Sequence, residues 1–125
     1  MNGPAEEWIA KAEADFATAR RERRARKNPN FDAVCFHAQQ CVEKLMKALL
    51  LRSGATAPKT HDLVYLDTLL SKVCPAWRWP VEELRFVSRA AVAFRYSGES
   101  ADKEDAAQAV RLAARMRKRL LDLLK

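Results

Sequence analysis

The sequence predicts an all-α protein, an up-and-down helical bundle of four main helices plus a short additional helix, built as one domain over residues 1–125. Three observations predict it. Glycine occurs only three times in 125 residues, while Ala, Leu, Arg, Lys and Glu dominate. Apolar residues return at helical spacing in segment after segment. The stretch Phe31 to Leu51 runs about six helical turns without Gly or Pro.

The first helix opens at Pro4, a residue suited to the first helical position, with Glu6 and Glu7 at the positive end of the dipole. Trp8, Ile9, Ala12, Phe16 and Ala19 form its apolar face, and it runs into a basic stretch from Arg20 to Lys27. That stretch reads as a solvated helix end or as a patch for phosphates. Asn28-Pro29-Asn30 turns the chain.

The second helix is the predicted centre. Phe31, Val34, Cys35, Ala38, Val42, Leu45, Met46 and Leu49 form a broad apolar arc, and a helix apolar over so wide an arc is central to a bundle. Glu43 and Lys47 fall on the far side, at the i,i+4 spacing of an exposed face, and His37, Gln40 and Lys44 line one edge of the arc. Gly54 ends this helix. Thr60 caps the short third helix, which carries Leu63, Leu66, Leu69, Leu70 and Val73 and stops at Cys74-Pro75. Trp77 and Trp79 read as a hydrophobic plug between two prolines.

Pro80 opens the fourth helix, with Leu84, Val87, Ala91 and Phe94 as its buried stripe. Ser100 or Asp102 caps the fifth, whose wide arc of Ala109, Val110, Leu112, Ala113, Met116, Leu120, Leu121 and Leu124 is broad enough for both a core and a subunit contact. Arg117 projects from that arc and must reach a carboxylate, a carbonyl or solvent. The expected helices are near residues 4–27, 30–53, 61–73, 80–95 and 101–124, with no strand.

The formal net charge is +7, from 23 basic and 16 acidic residues, which favours nucleic acid, nucleotides or an acidic partner. Cys35, Cys41 and Cys74 form no CxxC pair, and an odd, unpatterned count suggests free thiols in a reducing compartment. With no signal peptide and no apolar run near ~20 residues, the expected location is cytoplasmic.

The chain has no Walker loop, no GxGxxG, no GxSxG and no HExxH, and its two His and three Cys lack metal-ligand spacing. No metal or other cofactor is expected. Cys35 and His37 face different directions on one helix and cannot act as nucleophile and base. His61-Asp62, at the start of the third helix, and Arg95-Tyr96, at the end of the fourth, are the remaining polar candidates. Asp102, Glu104 and Asp105 read as compensation for the last helix's dipole.

The run FDAVCFHAQQCVEKLMKALL, then THDL, then FRYSGESADKEDA, resembles the HEPN domain in its small stand-alone prokaryotic form, over nearly the whole chain. The resemblance implies a helical bundle that is usually a homodimer, often encoded beside a minimal nucleotidyltransferase and paired with it in a toxin–antitoxin-like context. It also implies nucleotide or RNA binding and, in several branches, RNase activity. Those RNases use an Arg followed by a His after four to six intervening residues. After Arg95 the corresponding positions hold Ser100, Ala101 and Asp102. A non-catalytic binding module is therefore expected, with a metal-independent RNase toxin built on a degenerate Arg/His site as the alternative.

The expected site combines Arg95, Tyr96, Lys44, His37, Gln40 and His61 as nucleotide- or anion-binding residues, with no catalytic assignment. Helix two, taken as antiparallel to helix three, would end at the pole where helix three begins and helix four ends. That places Lys44 nearer Arg95 than His37, with the two cations forming an anion cleft and Tyr96 its wall.

Overall fold

A computed structural model describes residues 3–93 and 98–125. Its helices are α1 (Pro4–Arg23), α2 (Phe31–Arg52), α3 (Leu63–Val73), α4 (Val81–Ala93) and α5 (Lys103–Leu124), and there is no strand among the described residues.

Helix α2 packs against each of the other four. Thirteen of its 22 residues are buried, which makes it the central element that its apolar breadth predicts. Leu45, Met46, Leu49 and Leu50 from α2 meet Leu63, Leu66 and Leu70 from α3, Leu84 and Val87 from α4, and Met116 and Leu120 from α5 in one core. A second small cluster, Ala19, Val34, Ala106 and Val110, closes the end where α1 stops and α2 and α5 begin.

Contacts along the helices fix their directions. Glu22 of α1 accepts from the Asn30 amide, and Glu6 pairs with Arg52, so α1 and α2 are antiparallel. Asp32 accepts from the Ala101 amide at one end, and Arg52 donates to the Leu124 carbonyl at the other, so α2 and α5 run in the same sense. Ala91 and Val92 of α4 lie beside Phe36 near the start of α2, so α4 opposes α2. The four main helices thus alternate, as an up-and-down bundle requires.

Helix α3 departs from the expected direction. His61 lies beside Gln39 and Glu43, well before the end of α2, and the following residues Tyr65, Leu69 and Val73 lie against Leu50. The loop 53–62 therefore returns along α2 for about 13 Å, the rise of nine helical residues, before α3 starts in the same general sense as α2. Gly54 makes the reversal possible. It adopts φ +87, while Gly54 N donates to Leu51 O and Ala55 N to Leu50 O in a Schellman arrangement.

Three further expectations are corrected. Helix α1 ends at Arg23 and not near residue 27, because Arg24 caps it and Asn28, at φ +46, turns the chain. Asp62 and not Thr60 caps α3; its carboxylate accepts from Val64 N and Tyr65 N, and Thr60 Oγ1 accepts from Asp62 N. Glu43 and Lys47 are buried, not on an exposed face, being 2% and 5% exposed. The helix wheel shows where a side chain points and not what covers it. Here Trp8 from α1 and His61 from the loop cover that flank.

Other local expectations hold. Asp102 caps α5 through a reciprocal capping box with Asp105. Trp77 is buried and stacks on Trp79 at 5.5 Å, their ring N–H groups donating to Asp67 and Glu83. Arg117 makes a two-pronged bond to Glu13 at 2.7 and 2.6 Å and lies 4.9 Å over the Phe16 ring. The hydrogen bonds that Arg117 donates to Glu13 hold the guanidinium pKa above its ordinary value. Both partners keep about a third of their side chains exposed, so screening limits the pair to about 1 kcal/mol. The wide arc of α5 is consumed within the chain: apart from half-buried Leu121, every residue named in it is buried.

Candidate functional site

The groove between α3 and α4 is built from the top of one helix hairpin. Ser88 Oγ on α4 accepts from Leu63 N, which pins the start of α3 to the second half of α4. Asp62 caps α3 from the same corner. The resulting cavity, about 630 Å³, is lined by His61, Asp62, Val64, Arg85, Ser88, Arg89 and Val92. A neighbouring cavity of about 230 Å³ shares His61 and Val92 and reaches α2 at Phe36, Gln39 and Gln40. Together they form one groove with α2 at its base.

Arg85 and Arg89, one helical turn apart on α4, are exposed and have no hydrogen-bond or ion-pair partner among the described residues. Val92, 51% exposed, gives the groove an apolar wall. Asp62 also lines it, with Oδ1 accepting from the α3 amides, and the positive charge of the groove comes from Arg85 and Arg89 on α4.

Beneath the groove lies a buried polar network. Glu43 Oε1 accepts from Gln39 Nε2 at 3.0 Å and lies 3.0 Å from His61 Nδ1, while Glu43 Oε2 accepts from Lys47 Nζ at 3.1 Å. Gln39 Nε2 also donates to the His61 carbonyl, and Gln40 Nε2 donates to Gln39 Oε1. Lys47 Nζ lies 5.3 Å over the Trp8 ring. Among the described residues no buried side-chain N or O is left without a partner.

The predicted site residues therefore divide. Gln40 and His61 meet at the groove. His37 and Lys44 turn to α1, where Asp15, 9% exposed, holds His37 Nδ1 at 2.7 Å and Lys44 Nζ at 2.5 Å. The returning loop removes the antiparallel α2–α3 pair that would bring Lys44 to the end of α4. Arg95 and Tyr96 lie outside the described residues. Sequence reasoning missed Arg85, Arg89, Ser88 and the role of Glu43. The signal for the arginines was an i,i+4 pair on the polar side of α4, a pattern that any solvated helix face also shows.

Cys35 and Cys41 are buried in the core and held as thiols. Burial, with smaller contributions from Asp105, Asp32 and Asp102, pushes the Cys35 thiol up to about 12. Burial does the same to Cys41, which also rises to about 12. The thiolate is the reactive form, so iodoacetamide at neutral pH is expected to modify only half-buried Cys74 in the native protein, and all three cysteines after denaturation. Intact-mass measurement reads the number of adducts.

The comparisons with known proteins agree with this architecture. The HEPN domain model matches residues 5–123. The chain belongs to the HEPN family. HEPN proteins are associated with nucleotide- and RNA-related functions. An archaeal HEPN homologue of known crystal structure is 23% identical, with a TM-score of 0.72 over 99% of this chain and 100% of its own. A Thermus thermophilus protein of known crystal structure is 20% identical, with a TM-score of 0.76 over 95% of this chain and 97% of its own. At these identities the likeness establishes the shared HEPN fold. No curated protein matches this chain. No described helix is long and apolar enough to cross a membrane.

Proposed function

We propose that this HEPN protein is a non-catalytic module that binds the phosphates of a nucleotide or RNA in the α3–α4 groove. The observation that carries the reading is the Arg85–Arg89 couple, unpaired among the described residues, lining a cavity large enough for a nucleotide. A guanidinium presents a planar fork of donors that matches phosphate oxygens, and an unpaired one gives up only water to bind them. Val92 and Phe36 supply apolar surface for a base, and Gln40 and His61 supply hydrogen bonds. Arg95 and Tyr96, which follow Val92 closely in sequence, extend the proposal as a further phosphate contact and a stacking ring. His37 and Lys44 enter it only as the Asp15-bound cluster on the α1 flank.

The module works as a homodimer or docked on a nucleotidyltransferase partner in a toxin–antitoxin-like, cytoplasmic setting, as the family resemblance implies. Since α5 spends its apolar arc inside the chain, the dimer would use another surface. Light scattering at micromolar concentration is expected to give a dimer mass; a monomer removes any shared site.

Calorimetric titration with ATP and with a short single-stranded RNA tests the binding. Affinity is expected to fall steadily between about 50 and 200 mM salt, because each phosphate contact releases counterions. Salt-independent affinity would rule out a phosphate site. RNA cleavage by the purified protein, lost in Arg95→Ala, would instead establish the alternative RNase reading.

A further inference from the structure

His61 is held in an unusual way for a residue whose side chain is 82% exposed. Two α2 side chains, one helical turn apart, fix it from beneath: Gln39 takes its carbonyl and Glu43 takes its ring at Nδ1. Glu43 is itself immobilised, its side chain 3% exposed and its other oxygen bound to Lys47. An ordered carboxylate beneath an open imidazole does more than anchor a loop. Paired with the Lys47 ammonium, the Glu43 carboxylate offers lone pairs only, so His61 Nδ1 must carry the proton. Whenever the ring is neutral, Nε2 is left with a lone pair, and His61 lines both cavities of the groove.

We infer that Glu43 is a positioning residue that locks the tautomer of His61, and that His61 Nε2 accepts a hydrogen bond from a ribose hydroxyl, making the groove selective for ribonucleotides over deoxyribonucleotides. The inference rests on the phosphate-groove reading for its ligand class, since Arg85 and Arg89 hold the phosphates and His61 addresses the sugar. The arginines carry donors alone and serve acceptors; an acceptor at the opposite wall complements a hydroxyl, which both donates and accepts.

Long-range proton–nitrogen NMR of the histidines, recorded above the titration midpoint of the ring, tests the first half without any ligand. Wild-type His61 is expected as the Nδ1–H tautomer, the minor form of free imidazole. In Glu43→Gln the amide oxygen is expected to stay with Lys47, turning the amide N–H₂ toward His61 Nδ1 and switching the ring to Nε2–H. A wild-type Nε2–H tautomer would overturn the positioning role, whatever the stability of the variant.

Calorimetry with ATP and 2′-deoxy-ATP tests the second half. The wild type is expected to prefer ATP about five-fold, the worth of one net hydrogen bond. That preference is expected to vanish in His61→Ala, whose exposed side chain makes it safe for folding. Equal wild-type affinities with the Nδ1–H tautomer in place would overturn the ribose contact alone. If the wild type binds neither nucleotide, the phosphate-groove reading falls and takes the ribose contact with it.

Discussion

Glu43→Ala is expected to destabilise the protein by about 3–5 kcal/mol. The Glu43 side chain is 3% exposed and that of Lys47 is 6% exposed, so removing the carboxylate strands an ammonium in the interior. Among the described residues, the Trp8 face, 5.3 Å away, would remain beside it. The same change frees Gln39, Gln40 and His61 of an acceptor they share. A domain of this size has about 5–15 kcal/mol in total, so the urea midpoint is expected to fall by about a fifth or more. Glu6→Ala, which breaks the exposed Arg52 pair, is expected to cost less than about 1 kcal/mol. Replacing both members together, Glu43→Leu with Lys47→Met, is expected to recover most of the loss, because the penalty belongs to the orphaned charge and not to the pair. A Glu43→Ala loss below about 1 kcal/mol would mean that water reaches Lys47 and that the network is not a buried one.

The double variant Arg85→Ala/Arg89→Ala is expected to lose nucleotide affinity by about 100-fold or more while keeping its unfolding midpoint. Each charge-assisted contact contributes about 1.5–3 kcal/mol, and two are removed. Both side chains are exposed and bind nothing in the described structure, so folding loses little. Arg23→Ala/Arg24→Ala is the matched control. It removes the same charge from the end of α1, where both residues are also exposed, and is expected to change affinity only by the long-range share that salt screens. Equal losses in the two double variants would show that net charge, and not the groove, governs binding. Affinity retained in Arg85→Ala/Arg89→Ala would move the site elsewhere on the chain.

Most of the fold was legible in the residues themselves. Helix type, number and approximate bounds follow from apolar spacing, from Pro4 and Pro80 at helix starts and from Gly54 beyond a helix end, all of which act within a turn or two of chain. The centrality of α2 follows from its apolar width, the plug from Trp77 and Trp79, and the need of Arg117 for a carboxylate, a carbonyl or solvent from the cost of burying a lone charge; the structure chose Glu13. The HEPN resemblance, carried by FHAQQ, EK and HDL in order, is likewise a property of the sequence, and the family match over residues 5–123 agrees with it.

What only the tertiary structure decided is which helix covers which flank. Glu43 and Lys47 satisfy the pattern of an exposed pair, and nothing local distinguishes that from a pair roofed by Trp8 and His61. The direction of α3 depends on the path of loop 53–62, whose length permits either a reversal or a return. That choice separates His37 and Lys44, drawn to Asp15, from Gln40 and His61, which join Arg85 and Arg89 at the groove. Side-chain periodicity is set by backbone geometry and is read residue by residue. The pairing of faces is set by burial across the whole chain, where residues far apart in sequence compete for the same partners.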